Sequence, residues 1–323
     1  MTFRIGVVGA GTHGERYVRH GARDVPGATV TALCRRSEQP GRALAARHGA
    51  RYHREADALI ADPAVDAVVV CTPPGSHHAL ARTVLAAGKP LLLEKPMTGT
   101  LAEAEDLVAR DGGTAPPLCL AQSLRWNPVL RRVGELWPRL GRVHLVRASQ
   151  RLAPTTLAWQ RDAAATVGGS VLLTGVHLFD TVRWLTGREF VAVDSRQRQV
   201  RNPVVEDLFV ARALLDDGSW AALEVSKFTD SRACWFEAIG ERGQLRADYL
   251  AGGIWWHGDG DDETWDVSAR VPTLPALLAD WRDAVRDGTP PPVTAADGLA
   301  TLRMVDACYR SAREGREVAV ATG

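Results

Sequence analysis

Four short clusters in this chain have residue types and spacing suited to chemistry. Gly9-Ala10-Gly11-Thr12-His13-Gly14 fits GxGxxG directly after the run Phe3 to Val8. Gly9 permits a tight turn, Gly11 lets the main chain approach a pyrophosphate, and Gly14 allows a helix to pack closely on a sheet. A helix opening there presents N–H groups and the positive end of its dipole to phosphates. Thr12 belongs to the same cradle, and His13 is expected in solvent or beside the phosphates. Some twenty residues on, Arg35-Arg36-Ser37 follows Thr31-Ala32-Leu33-Cys34, where a dinucleotide with a free ribose 2′-hydroxyl would call for an acidic residue. Two guanidiniums and a hydroxyl suit a 2′-phosphate instead, so NADP(H) is expected over NAD(H). The competing reading leaves the arginines solvated and has Ser37 cap the helix that begins at Glu38.

The third cluster, Cys71-Thr72-Pro73-Pro74-Gly75-Ser76-His77, follows the apolar run Asp66 to Cys71, and Glu94-Lys95-Pro96 follows Pro90 to Leu93. Both fall at the carboxyl ends of strands, where open α/β sheets bind ligands. A lysine in such a crevice has its pKa lowered by burial, so that it donates and accepts a proton near neutral pH. His77 and His78 stand in no ligand spacing with Cys, Asp or Glu, so no metal site is expected.

These clusters need elements to position them. Strand-like runs at 3–8, 29–34, 66–71, 90–94 and 118–123 alternate with helical stretches at about 14–20, 38–48, 77–87 and 101–110. Such alternation implies right-handed βαβ units and a parallel sheet. Gly112-Gly113-Thr114-Ala115-Pro116-Pro117 is a breaker cluster ahead of the last of these strands. Beyond residue 123 the pattern changes. Helical stretches at about 128–138 and 169–186 precede strands at 189–199, 207–215, 219–227, 233–240 and 243–248, with Asp217-Gly218 and Arg242-Gly243 as hairpin turns. That order predicts an α+β half with an antiparallel sheet, closed by a helix over about 295–313 after Pro290-Pro291-Pro292.

The chain has 323 residues, about two domains at ~150 residues each. Its 39 basic side chains against 38 acidic leave no positive excess to track a nucleic acid. The longest apolar runs fall far short of the ~20 residues that span a membrane. The start of the chain passes straight into a strand, with no signal peptide visible. Five cysteines without a CxxC read as thiols in a reducing compartment, and a cytoplasmic enzyme is expected. Only three basic residues are lysines, Lys89, Lys95 and Lys227, and all ten tryptophans lie beyond residue 125.

Over essentially its whole length the chain resembles the Gfo/Idh/MocA family of NAD(P)-dependent oxidoreductases. The resemblance rests on Gly9 to Gly14, on Thr72 to His77 with Ala86-Ala87-Gly88-Lys89, and on Glu94-Lys95-Pro96. Further on it rests on Arg125-Trp126-Asn127-Pro128, on Gly168-Gly169 with Gly175-Val176-His177-Leu178-Phe179-Asp180, and on Val293 to Ala319. The resemblance implies an α/β fold class: an N-terminal Rossmann domain (1–122) with a mostly parallel sheet, then a C-terminal α+β domain (123–323) with a large open, mainly antiparallel sheet. It implies hydride transfer at a hydroxyl or carbonyl carbon of a sugar, cyclitol or related molecule. A homodimer or homotetramer through the C-terminal sheet is expected, because strands 207–215 and 219–227 carry apolar residues on both faces. Lys95 matches the family lysine at the reacting oxygen, and His177 matches the histidine of its DxGxH motif. Trp159, with Arg161-Asp162, resembles the segment that reaches toward the nicotinamide. The acidic residue four positions before His177 is replaced by Leu173; Thr174 is the nearest polar side chain, and Asp180 lies one turn beyond.

The expected activity is therefore NADP(H)-dependent oxidoreduction of CH–OH/C=O, with Lys95 and His177 catalytic. The expected cofactor site comprises Gly9, Gly11, Thr12, His13, Gly14, Arg35, Arg36, Ser37, Cys71, Thr72, Pro73, His77, Glu94, Lys95 and Trp159. Leu173 keeps two alternatives open: a reductase of C=N or C=C bonds, and a non-catalytic NADP(H)-binding sensor.

Overall fold

Short apolar runs separated by amphipathic stretches fold here as strands buried on both faces and helices buried on one. The protein is described by a computed structural model covering residues 2–110, 116–162, 165–258, 260–267 and 270–321. In chain order the first elements are β1 (Phe3–Val8), α1 (Gly14–Arg23), β2 (Ala28–Cys34), α2 (Glu38–His48), β3 (Arg51–His53) and α3 (Ala56–Ile60). Then come β4 (Ala67–Val70), α4 (His77–Ala86), β5 (Leu91–Leu93), α5 (Leu101–Arg110) and β6 (Leu118–Leu120). The six strands form one all-parallel sheet in the order β3-β2-β1-β4-β5-β6. Every residue of β4, β5 and β6 is buried, as a parallel sheet covered on both faces requires. The strand order reverses between β1 and β4, which opens a crevice at their carboxyl ends. β3 and α3 are additions that the sequence pattern had not marked, and most of the breaker cluster at 112–117 lies outside the described residues.

The second set runs α6 (Pro128–Leu136), β7 (Val143–Arg151), α7 (Val176–Thr186), β8 (Phe190–Arg198), β9 (Leu208–Leu215), β10 (Trp220–Ser226), β11 (Ala233–Gly240) and β12 (Gln244–Asp248). It continues with β13 (Gly253–Gly258), β14 (Asp261–Asp266), α8 (Thr273–Asp287), α9 (Ala295–Glu314) and β15 (Val318–Ala319). Nine strands make a mixed sheet in the order β14-β13-β12-β11-β7-β10-β9-β8-β15. Only β7 and β10 pair in parallel among the described residues. Burial alternates along β9, β10 and β11, so one sheet face meets the core and the other does not. Gly218 turns β9 into β10 at φ +85°, a left-handed conformation that glycine adopts without strain. β7, β13 and β14 were not marked by the sequence pattern.

The chain divides into two compact units, Met1–Ser123 with Pro272–Leu299, and Leu124–Val271 with Ala300–Gly323. The expected second domain, 123–323, therefore differs from the second unit by the return of 272–299. The reason is packing: Trp281 of α8 is wholly buried and meets Phe3 of β1 edge-on, ring centroids 5.3 Å apart. The Leu120 N–H of β6 donates to the Val293 carbonyl (3.0 Å), so the returning segment also covers the edge of the parallel sheet.

The helix expected over 169–186 is two pieces. Val171–Gly175 forms one wide π-helical turn, and α7 proper begins at Val176. Gly169 is why the segment can sit where it does, because a Cβ there would lie 2.0 Å from the Glu206 carbonyl oxygen.

Candidate functional site

The first unit builds a nucleotide cradle from strand ends. Gly9, at φ +88°, turns the chain out of β1, and its N–H and that of Ala10 both donate to the Cys34 carbonyl at the end of β2 (3.1 and 3.0 Å). A Cβ on Gly9 would lie 2.5 Å from the Cys71 carbonyl oxygen, and one on Gly14 2.2 Å from that of Gly9. Gly11 is different: nothing lies within 4 Å of its Cβ position, which leaves the main chain open to an approaching pyrophosphate. Thr12 and His13 complete the turn before α1. The loop thus fits a dinucleotide on the geometry of its own glycines.

At the end of β2, Arg35 is half-buried while Arg36 and Ser37 are exposed. The Tyr52 hydroxyl donates to the Arg35 carbonyl (2.9 Å) and holds this corner. The next acid, Glu38, pairs with Arg42, and neither Arg35 nor Arg36 has an acidic partner among the described residues. Ser37 makes no side-chain cap to α2, so its hydroxyl is not committed to capping.

Glu94 organises the crevice. It is 6% exposed; the His13 ring N–H donates to its Oε1 (2.7 Å), the Tyr17 hydroxyl to the same oxygen (2.6 Å), and the Lys95 main-chain N–H to its Oε2 (3.0 Å). Burial alone would raise the carboxyl, but the His13 bond and charge, the Lys95 charge and the Tyr17 hydroxyl outweigh it and bring Glu94 down to about 2. The His13 side chain is 45% exposed, as expected, and one ring nitrogen also reaches Glu94, because a buried carboxylate needs charge-assisted donors. Lys95 is half-buried beside it. Burial lowers its pKa below that of an ordinary lysine, and the charge of Glu94 offsets this in part.

The side chains of two expected cofactor residues, His77 and Cys71, are governed by their protein surroundings. His77 is fully buried, with Nδ1 2.8 Å from the Pro96 carbonyl and Nε2 2.8 Å from the Thr72 carbonyl. It ties the loop after β4 to the loop after β5 and has no ring atom left for a ligand. Cys71 keeps its proton, since burial and then Glu94 push its thiol well up. Thr72 and Pro73 face Ser76, whose Oγ lies 2.7 Å from Thr72 Oγ1 and 2.9 Å from the Pro73 carbonyl. One convergence was not visible in the sequence: ligand atoms of His13, Cys71 and Glu94 lie within 4.8 Å of one another. His78 instead pairs with Asp106.

The second unit holds a cavity of about 350 Å³ lined by Gln160, Arg161, Ser170, Leu173, Glu206 and Lys227 among others. Lys227, just past β10, directs its ammonium to Gln160 Oε1 (3.4 Å). Trp159 sits half-buried on the short turn Ala158–Arg161 beside this wall. His177 lies in the first turn of α7 and is half-buried. The carboxylate one turn on, Asp180, is engaged twice by Arg125 (2.7 and 2.9 Å).

The sequence reading missed Glu206. It lines the same cavity as Leu173, and its Oε1 accepts from the Tyr309 hydroxyl (2.8 Å) and the Val171 N–H (3.1 Å). Burial raises its pKa against those bonds, and this carboxyl stands in the cavity where the family motif's acid is absent. Asn202-Pro203-Val204-Val205-Glu206-Asp207 has no motif spacing that would single it out.

Comparison with known proteins places this geometry. Residues 3–111 match the Gfo/Idh/MocA model of an oxidoreductase family with an NAD-binding Rossmann fold, and 138–320 match the model of that family's C-terminal α/β domain. Among similar proteins is inositol 2-dehydrogenase 1 of Saccharopolyspora erythraea, 30% identical over 99% of this chain and 97% of that protein. D-apiose dehydrogenase of Paraburkholderia graminis is 28% identical over 98% of this chain and 89% of that protein. Among solved structures, GenD2 from gentamicin A biosynthesis, in complex with NAD, superposes with a TM-score of 0.88 at 29% identity, covering 99% of this chain and 97% of that one. The cradle after β1 and the lysine after β5 thus lie in a chain matched in both halves, and the protein belongs to the Gfo/Idh/MocA family of oxidoreductases.

Proposed function

We propose that this protein is an NADP(H)-dependent oxidoreductase acting on a hydroxyl or carbonyl carbon of a small polyhydroxylated molecule, a sugar or cyclitol. The observation that carries the reading is Lys95. It is a half-buried lysine with a lowered pKa at the carboxyl end of β5, braced by a carboxylate whose oxygens are already hydrogen-bonded. A bound nicotinamide supplies or accepts the hydride. In this reading the chain's own work is to hydrogen-bond the reacting oxygen through Lys95 and move its proton, with His177 as a second proton-transfer group. The names of the relatives support a polyol substrate, and a turnover screen of cyclitols and aldoses with NADP+ and NAD+ tests it; oxidation of none of them would refute the reading.

The preference for the phosphorylated cofactor rests on Arg35 and Arg36, two guanidiniums at the end of β2 with no acidic side chain beside them. NADPH is expected to bind at least tenfold more tightly than NADH, and Arg35→Asp to invert the order. Fluorescence titration of both cofactors measures this, and tighter NADH binding by the unaltered protein would overturn it.

We also propose self-association through the open face of the nine-stranded sheet. Val210, Trp220 and Trp255 are 38–45% exposed. On the same sheet Arg246 stacks over Trp235 at 4.1 Å and Trp235 over Trp255 at 6.2 Å. Rigid aromatics with arginine are the side chains enriched at the centres of protein interfaces. Light scattering should give a dimer or tetramer at micromolar concentration; a monomer there would refute this.

A further inference from the structure

The cavity in the second unit has an imbalance of charge that a neutral polyol does not explain. Arg161, Arg201 and Lys227 line it, against Glu206 and Asp207. Asp207 is committed elsewhere: its Oδ1 accepts from the Val200 N–H (2.7 Å), and its Oδ2 from the N–H groups of Arg201 (2.7 Å) and Asn202 (2.8 Å). It shapes the loop that carries Arg201 and has no side-chain pairing with that guanidinium. Glu206 is hydrogen-bonded on one oxygen by Tyr309 and Val171 and makes no ion pair with the arginines of the cavity among the described residues. Lys227 donates to the neutral Oε1 of Gln160 (3.4 Å). Neither Arg161 nor Arg201 has an acidic partner among the described residues, although arginines elsewhere in this chain pair with carboxylates. A second observation points the same way. Ser170 is 1% exposed and lines the cavity, and its Oγ has no hydrogen-bond partner. A buried hydroxyl without a partner is costly, and a ligand oxygen would relieve it.

We propose that this cavity recognises an anionic group, a carboxylate or phosphate, on the substrate, with Arg161 and Arg201 as its charge-reading side chains and Ser170 as a hydrogen-bond donor. The substrate class then narrows to acidic derivatives of polyhydroxylated molecules: uronates, aldonates, or sugar and cyclitol phosphates. Guanidinium groups are suited to this because two parallel N–H donors match the two oxygens of either anion.

The inference rests on the polyol-oxidoreductase reading for its turnover and on the cavity alone for its binding, so the two are tested separately. The full chain, saturated with NADPH, is titrated calorimetrically with matched pairs: glucuronate and glucose, galacturonate and galactose, glucose 6-phosphate and glucose, myo-inositol 1-phosphate and myo-inositol. At least one anion should bind tenfold or more tightly than its neutral parent, and added salt should narrow the difference. Arg201→Gln and Arg161→Gln, both at exposed positions, should each cut that preference to threefold or less. Preference for uronates over sugar phosphates, or the reverse, identifies the anion. The proposal fails if every neutral parent binds as well as its charged partner, or if the preference survives both substitutions. Anion preference without any NADP+-linked turnover would keep this inference and sink the oxidoreductase reading; turnover of neutral members without preference would do the opposite.

Discussion

Lys95→Ala is expected to lower turnover on any substrate found by the screen by about 10²–10⁴-fold, the usual contribution of a positioned proton-transfer group, while NADPH affinity changes by no more than a few-fold. The argument starts from the neighbour. Glu94 is buried and negatively charged at about 2, and its oxygens are taken up by His13, Tyr17 and the Lys95 main chain. The Lys95 side chain is thus set beside a fixed charge whose hydrogen-bonding is largely met by others. Burial lowers its pKa and the adjacent Glu94 carboxylate returns part of that. The sign follows directly. An ammonium with a lowered pKa loses its proton at lower pH than an ordinary lysine. In the direction of alcohol oxidation the neutral amine accepts the proton, so the rate should rise with pH and level off below the usual lysine range. In the direction of carbonyl reduction the ammonium donates, so the rate should fall across the same interval. Lys95→Arg separates charge from proton transfer, because a guanidinium stays protonated throughout. It should retain substrate binding better than alanine yet fail to restore oxidation. Near-normal turnover by Lys95→Ala would show that the proton chemistry lies elsewhere, and would return the sensor and C=N or C=C alternatives to consideration.

How much of this was readable beforehand depended on whether the physics was local. β4 and β5 are short and uniformly apolar, β1 is apolar but for Arg4, and Gly9 to Gly14 carries its own geometric reason at each glycine, so strand, turn and crevice followed from spacing. The parallel sense of the sheet followed as well, from strands alternating with helices in right-handed βαβ units. Pro272–Leu299 could not be placed by the same means. α8 has a clear buried stripe of Leu274, Leu277, Leu278 and Trp281, but periodicity says only that a face is buried, not against which domain. β7 pairs in parallel with β10 more than sixty residues away, and its polar residues His144, Arg147, Ser149 and Arg151 weaken the apolar signal of a central strand. In the site, residues defined by motif were found and residues defined by fold were not. Glu206 and Tyr309 meet across 103 positions, a separation with no sequence signature. His77 shows the converse: its position beside the cofactor loop is a fact of sequence, while its two carbonyl partners are a fact of the fold.

Asp180→Ala is expected to be the most damaging single change in the second unit. Arg125 presents Nε and Nη to the two oxygens of Asp180 at 2.9 and 2.7 Å, with the two side chains 13% and 1% exposed. Forming such a pair gains little, because desolvating both ions offsets most of their attraction; removing one partner is what costs, since the other charge is left buried. The expected loss is about 3–5 kcal/mol, or roughly 6–20 °C in the melting transition of a unit of this size at about 2–4 °C per kcal/mol. The double substitution Arg125→Met with Asp180→Leu should recover much of it, which a simple loss of packing would not predict. Differential scanning calorimetry of the unaltered protein and these two variants decides the matter. A single-variant loss under about 1 kcal/mol would mean that water reaches the pair and screens it. The pair also fixes the face of α7 that carries His177, three residues earlier and so a neighbour on the helix surface. Asp180→Asn keeps an oxygen acceptor for Arg125 and should lose less stability than alanine. If its turnover falls further than its stability does, Arg125 and Asp180 act on catalysis by holding His177 in place.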